Sequence, residues 1–362
     1  MQTGRAGIAG LLAIVAALLV IAMPAWSDPA PEYGPAETQC TINDPGIDEL
    51  SGLVTLPSGE LLLVEDSVPE PRQGSTSILM YRLDALCAAQ GDVAEFDQDP
   101  NDIEDLAFLD NTVWFADIGD NGMSRANIAL IAVTYDPAQP QADEDPPVVY
   151  RLAYPDGPHD AEALLLAPDG TPYVVTKEPT GRSGVYRPTG ALDPSAEVAM
   201  EKVADLKFAM TGTPGGPIGR AGQVLVTGGS VAADGTHIAL RTYTDAYVWA
   251  MSGSDVAAAL QVDPVAVVAL PDAPQGEAIS FAADSRSLLL GSEGVNSVIT
   301  VVPATTQPDE TTADAPAATE SQATSNAQGS NPPTGTVFAG VIAVVVITGL
   351  IWVVLRVRRR GS

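Results

Sequence analysis

Lysine is nearly absent, with three among 362 residues, and it is joined in scarcity by two histidines, two cysteines and aromatic side chains at 5%. Each shortage excludes something. Two cysteines cannot build a zinc ribbon, a Cys-x-x-Cys redox pair or a disulfide-dense scaffold. Two histidines leave too few nitrogen donors for an ordinary zinc centre. A serine hydrolase of the Gly-x-Ser-x-Gly kind lacks its elbow. Nucleic acid binding needs clustered Lys and Arg to neutralise phosphates, whereas here 17 bases face 46 acids, a formal charge of −29. Nucleic acid is thereby excluded as a partner.

The charge that is present is unevenly placed. No acidic residue precedes Asp28 or follows Glu320, while Arg5, Arg356, Arg358, Arg359 and Arg360 lie in the two ends. The part between carries all 46 acids and 12 bases, a charge near −34. Arg5 is followed by an apolar run from Ile8 to Met23 and then Pro24-Ala25-Trp26-Ser27. That order of basic, apolar and small residues predicts a secretory signal peptide over 1–27, with an uncleaved anchor helix as the alternative. The 20 residues 336–355 carry no charge. At 1.5 Å per residue they reach about 30 Å, the hydrocarbon thickness of a bilayer. Arg356 and its neighbours follow at once, and positive residues stay on the cytoplasmic side. The sequence therefore predicts a single-pass C-terminal transmembrane helix in the cell membrane, a basic cytoplasmic tail over 356–362 and an extracellular remainder.

Ahead of the span stand Asn331-Pro332-Pro333-Thr334-Gly335, which resemble a sortase signal of the Leu-Pro-x-Thr-Gly type with Asn331 in place of the leucine. Wall attachment at Thr334 and a plain membrane anchor both remain open. Residues 303–335 are rich in Thr, Ala, Ser and Pro and contain no aromatic side chain, so they cannot bury enough apolar surface to offset ordering entropy. They read as a disordered stalk, and 28–302 as the folded head.

The head repeats itself. Five segments share an acidic or polar start, an apolar stretch, a tight turn and a second apolar stretch. Their turns are Ser58-Gly59, Asp110-Asn111, Asp169-Gly170, Asp234-Gly235 and Asp284-Ser285, spaced by 52, 59, 65 and 50 residues. Such turns tolerate positive φ and join hairpin strands. A period near 50 residues predicts an all-β fold, a β-propeller of five blades. Six blades are the alternative, because the longest step can hide a degenerate blade around Ala196 to Ala209; a two-sheet sandwich is the other. Further strands are expected at Ser77 to Leu83, Asn127 to Tyr135, Val148 to Tyr154, Gly184 to Arg187, Ala246 to Met251 and Ser297 to Val302. Asp255 to Leu260 reads as a helical turn or two. Cys40 and Cys87, both in the exported part, are expected to form a disulfide that pins the N-terminal strand.

In a blade, the start of the first strand and the end of the second lie at the same end. That places Glu49, Glu104, Asp105, Asp160, Glu162, Thr227 and Glu277 with Glu65, Asp66, Asp117, Asp120, Lys177, Glu178, Arg241 and Glu293 on one face. Carboxylates gathered in this way repel unless protonated, paired or neutralised by a cation. An oxygen-rich set suits a hard cation, calcium above all, and Asp117 to Gly122 resembles a short calcium loop. Strand caps and a solvated rim are the plainer account of the same acids.

Asp102-Ile103-Glu104-Asp105-Leu106-Ala107, Trp114 to Asn121 with Arg125, Asp160-Ala161-Glu162-Ala163, Val175-Thr176-Lys177, Leu240-Arg241-Thr242-Tyr243 and Gly276-Glu277-Ala278-Ile279 with Ser292-Glu293-Gly294 together resemble a family of secreted bacterial propellers. That family is loosely similar to esterase-like phytase and gluconolactonase-type propellers. The resemblance implies the fold more than a reaction. The leader, the low-Lys, Ala-rich composition and the anchor resemble those of high-GC actinobacterial surface proteins.

Two functions fit. The first is a binding or scaffold module for an extracellular ligand, with calcium on the acidic face. The second is a metal-assisted hydrolase of an anionic phosphate-ester, lactone or ester substrate. In it, Lys177 and Arg241 clamp the anion, and His159, beside Asp160, is the better base of the two histidines.

Overall fold

Each of the five predicted turns joins two antiparallel strands. Gly59, Asp110, Asn111, Gly170, Gly235 and Ser285 all have positive φ, the conformation the turn chemistry anticipates. The Asp side chains hold their loops: Oδ1 of Asp169, Asp234 and Asp284 each accepts the amide of the residue two further on. The computed structural model describes residues 31–66, 77–91, 94–138 and 146–305. The expected signal peptide, transmembrane span, cytoplasmic tail, Thr334 and the stalk beyond residue 305 lie outside the described residues. Among the described residues no helix is long and apolar enough to cross a membrane.

The strands fall into five antiparallel sets of four. The first is Leu50–Thr55, Leu61–Glu65, Ile78–Leu83 and Ala94–Phe96, and the second Ile103–Leu109, Thr112–Asp117, Ile128–Thr134 and Val148–Ala153. Ala161–Leu166, Pro172–Thr176, Arg182–Pro188 and Val198–Lys207 make the third, and Val226–Val231, His237–Thr242, Asp245–Ala250 and Ala266–Ala269 the fourth. The fifth joins Gly276–Phe281, Leu288–Ser292 and Val298–Val302 to the N-terminal strand Glu37–Thr41, which pairs antiparallel with Val298–Val302. The second and third sets are fused at their outer strands by a short parallel pairing of Leu152 with Val198 and Ala153 with Ala199. A ribbon of Glu32–Tyr33 with Ala304–Thr305 extends the paired chain slightly into the expected stalk.

The first strand of each set lies against the first strand of the next, and that of the fifth returns to the first. Five apolar clusters fill the five seams. Phe115 and Ile131 pack with Leu62 and Val64 between the first and second sets, and Leu164 and Val174 with Ala116 and Leu130 between the second and third. Leu165 and Val175 meet Ile238 and Leu240 in the next seam. Ala239 and Val248 then meet Leu288 and Leu290. Ala278, Leu289 and Ile299 close against Leu50, Leu61 and Leu63. Each fully buried Leu, Ile or Phe contributes about 1.5–3 kcal/mol, so the seams hold the ring together. An all-β ring of radially arranged antiparallel sheets is a β-propeller, and a sandwich does not account for it.

The 65-residue step has a local cause. The Ala196 to Ala209 region is one long strand, Val198–Lys207, within the third set. It is followed by a loop with a single 3-10 segment, Gly219–Val224. Cys40 and Cys87 form the expected disulfide, joining the N-terminal strand of the fifth set to the first. The helical turn is Val256–Ala259, capped by Asp255, whose Oδ1 accepts the Ala258 amide.

Candidate acidic site where the inner strands converge

Each of the five inner strands carries a bulge at the same place. The pairing register skips Ser51, Glu104, Glu162 and Thr227 in the first four, and Glu277 with Ala278 in the fifth. A bulge adds one unpaired residue and re-aims its side chain. Two pairs of neighbouring inner strands are tied here, because Oγ of Ser51 donates to the carbonyl of Glu104 (2.6 Å) and Oγ1 of Thr227 to that of Gly276 (3.0 Å). The ring of bulged residues is thus Ser51, Glu104, Glu162, Thr227 and Glu277. Glu49 was expected in the first position and lies two residues earlier, on the rim.

Glu104, Glu162 and Glu277 are only 3–4% exposed. One ammonium stands against them: Nζ of Lys177 donates to Oε1 of Glu162 and to the hydroxyl of Tyr243 (3.1 Å). Burial lowers the affinity of Lys177 for its proton, but Glu162, Tyr243, Glu277 and Asp160 outweigh it and keep the side chain charged. Oε2 of Glu162 is buried and has no hydrogen-bond partner. Burial, then the carboxylates of Glu162, Asp102, Asp66 and Glu277, push Glu104 well above the usual carboxylate range. Gly119 leans on this group, since a Cβ there would lie 2.2 Å from Oε1 of Glu104.

A half-buried rim continues from Glu277. Nε2 of Gln275 donates to Oε1 of Glu277 (2.9 Å) and to Glu293. Burial and then Glu277 raise Glu293 far above an ordinary carboxyl. Carboxylate oxygens of Glu49, Asp66 and Glu293 lie within 4.8 Å of one another. At an effective dielectric near 20, two full charges at that spacing repel by about 3 kcal/mol.

Other expected members do different work. Asp105, 1% exposed, accepts the amides of Leu106 (2.9 Å), Leu164 (2.9 Å) and Gly229 (3.2 Å), and so ties three inner strands together. Asp117 accepts the amides of Asn101 and Asp102 and pairs with Arg125 at 3.0 Å. Asp120 accepts the amides of Ser124 and Arg125. The carboxylates of the Asp117 to Gly122 loop are therefore already occupied by neighbouring amides and by Arg125. Arg241, 1% exposed, donates to the carbonyls of Ala278 (2.8 Å), Gly291 (3.0 Å) and Thr242 (3.2 Å), and burial lowers its pKa to about 10. His159 lies between Asp156 (3.0 Å) and Glu178 (3.3 Å), with the Tyr186 hydroxyl at 3.1 Å, rather than against the pit.

Sequence reasoning missed Ser51, Thr227 as a strand tie, Gln275 and the place of Tyr243 beside Lys177. Tyr243 had a signal in its position two residues beyond Arg241. The bulge that selects Ser51 over Glu49 had none.

Strand order defines the class as a β-propeller, with buried acids gathered where its inner strands converge. No family model matches the chain, and no curated protein does. Among solved structures it is similar to the PQQ-bound form of aldose sugar dehydrogenase from Streptomyces coelicolor, at 12% identity and a TM-score of 0.40, covering 75% of this chain and 99% of that one. Two structures described as glucose dehydrogenase are 9% and 10% identical, each with a TM-score of 0.42, covering 75% of this chain and 100% of theirs. At that distance the likeness says nothing of activity, and the esterase-like and gluconolactonase-type resemblance gains nothing from it.

Proposed function

We propose that the chain is an exported, membrane-tethered five-bladed β-propeller that holds a calcium ion in its acidic pit and serves as a binding module at the cell surface. Five four-strand sets and five filled seams support the blade number. The observation that carries the ion is the rim of Glu49, Asp66 and Glu293, whose carboxylate oxygens lie within 4.8 Å of one another, next to the buried Glu277 that Gln275 bonds together with Glu293. At 3–4% exposure the inner carboxylates of Glu104, Glu162 and Glu277 are out of reach of a sugar or an ester. The hydrolase reading loses its anion clamp, because Arg241 is spent on three backbone carbonyls and Lys177 on Glu162 and Tyr243. The Cys40–Cys87 bridge supports an oxidising compartment, and with it export.

The alternative means of neutralisation is protons. Calorimetric titration of the EDTA-stripped protein with calcium at pH 7.5 separates the two. Saturable heat and a raised melting point are expected; the absence of both would mean that protons, with Lys177, neutralise the acids. Protease shaving of intact cells tests the placement, since the head is expected to be released and a protected head would contradict it.

A further inference from the structure

The Asp117 to Gly122 loop has its carboxylates occupied, yet its tip carries a group that nothing else in the loop uses. Asn121-Gly122 is the one Asn-Gly pair in the chain. Both residues are exposed and form the middle of a turn, closed by the amide of Met123 on the carbonyl of Asp120 (2.7 Å). The amides of Ser124 (2.7 Å) and Arg125 (2.8 Å) donate to Oδ2 of Asp120. Among the described hydrogen bonds of the loop, none uses the Gly122 amide or the Asn121 side chain. Gly122 also has room around it, since a Cβ there would meet nothing nearer than Oγ of Ser124 at 3.5 Å. The turn ends on a strained residue: Met123, 60% exposed, has a φ of 45°, in the left-handed region that long side chains avoid. Opening the turn relieves that strain.

We propose that Asn121-Gly122 is a self-modification site, where the chain converts Asn121 to isoaspartate with water as the only co-reactant, and that the conversion opens the loop. A carboxamide followed by a glycine with a free amide has the parts for this, because without a Cβ the Gly122 nitrogen can swing onto the side chain before it. That nitrogen gives up its proton and attacks Cγ of Asn121. The N–Cγ bond forms, the Cγ–Nδ2 bond breaks, and Nδ2 leaves as ammonia with one proton in place of the one given up. A five-membered succinimide remains. Water then splits one of its two C–N bonds. Splitting at Cγ leaves aspartate; splitting at the main-chain carbonyl leaves isoaspartate, whose backbone runs through Cγ and is one methylene longer.

The added methylene falls inside the rings that the three amide bonds to Asp120 close. Arg125 depends on that geometry, because its guanidinium donates to the carbonyls of Gly119 (2.7 Å) and Asp117 (3.0 Å) and pairs with the Asp117 carboxylate. The Asp120 amide in turn donates to Asp160 (2.8 Å) on the approach to the third blade. Lengthening the tip therefore frees Arg125 and makes the bond after it accessible to a protease.

The test ages the purified full chain at pH 8, with peptide mapping and isoaspartyl methyltransferase labelling as the readout. Asn121 is expected to convert faster than every other asparagine. Gly122→Ala, whose Cβ has room, is expected to convert several-fold more slowly. The aged fraction, separated by its added charge, is then compared with wild type and with fresh Asn121→Asp, which carries the same charge on an unlengthened backbone. Trypsin is expected to cut after Arg125 several-fold faster in the aged fraction than in either. A folded chain with no isoaspartate at Asn121 after a synthetic peptide of residues 117–125 has converted would overturn the site, and so would an equal rate in Gly122→Ala. Isoaspartate that leaves cleavage after Arg125 unchanged would overturn the loop opening.

Discussion

Lys177→Met removes the one ammonium among the buried carboxylates, and its consequence can be worked through. The Glu162 side chain is 4% exposed and that of Lys177 14%, so the pair is largely out of water. Removing one partner of such a pair leaves an uncompensated charge and costs about 3–5 kcal/mol. For a head of this size each kcal/mol lowers the melting point by roughly 2–4 °C, a fall on the order of 10 °C. Glu162 has two escapes: it can take up a proton or share a cation. The loss should therefore be greatest in EDTA at pH 8 and smaller at pH 5 or in calcium. Adding Glu162→Gln removes the stranded charge, so the double variant should recover most of the stability, a non-additivity that a double-mutant cycle reads directly. Thermal unfolding followed by circular dichroism suffices. A single variant melting within about 2 °C of wild type in EDTA at pH 8, or a double variant no better than the single, would refute the buried-pair argument.

Gly276→Ala places a Cβ 2.1 Å from Nη2 of the buried Arg241, whose retreat breaks its bonds to Ala278 and Gly291. At about 1.5–3 kcal/mol for each bond to a charged group, urea denaturation should show a loss of roughly 3–6 kcal/mol; a change below 1 kcal/mol contradicts the packing. The pH dependence should have an unusual sign. Burial raises Glu65 from 4.5 to about 7, and Glu104 and Glu293 are raised as well. A carboxyl whose folded pKa is raised contributes stability that is fully present below its unfolded value and is lost as pH climbs through the folded one. The calcium-free protein should therefore lose stability from about pH 5 to pH 8, by about 1.4 kcal/mol per pH unit for each such proton. A denaturation midpoint that rises over this range contradicts the direction.

Much of the fold was legible because the repeat is written in turn chemistry. Asp-Gly and Asp-Asn pairs mark positive φ directly, and the apolar runs around them are seam residues such as Val174, Leu240 and Leu289. The face that gathers Glu104, Glu162 and Glu277 followed from that repeat alone. What could not be read was register. A bulge is set by how two strands pair, so Ser51 rather than Glu49 occupies the first inner position without any local mark. Nor does residue type show which acids are already satisfied. Asp105, Asp117 and Asp120 look like Glu104 in sequence, yet backbone amides and Arg125 occupy them. Arg241 likewise reads as a counter-charge and is held by carbonyls.

The most direct test is elemental analysis of the purified protein, dialysed against trace calcium, alongside its Glu277→Gln/Glu293→Gln variant. The calcium reading predicts about one calcium per wild-type chain, a melting point lowered by EDTA, and neither property in the variant. About 2.7 kcal/mol of stabilisation is expected at a hundredfold excess of calcium over its dissociation constant. A wild-type protein that carries no calcium and melts at the same temperature in calcium and in EDTA would contradict it.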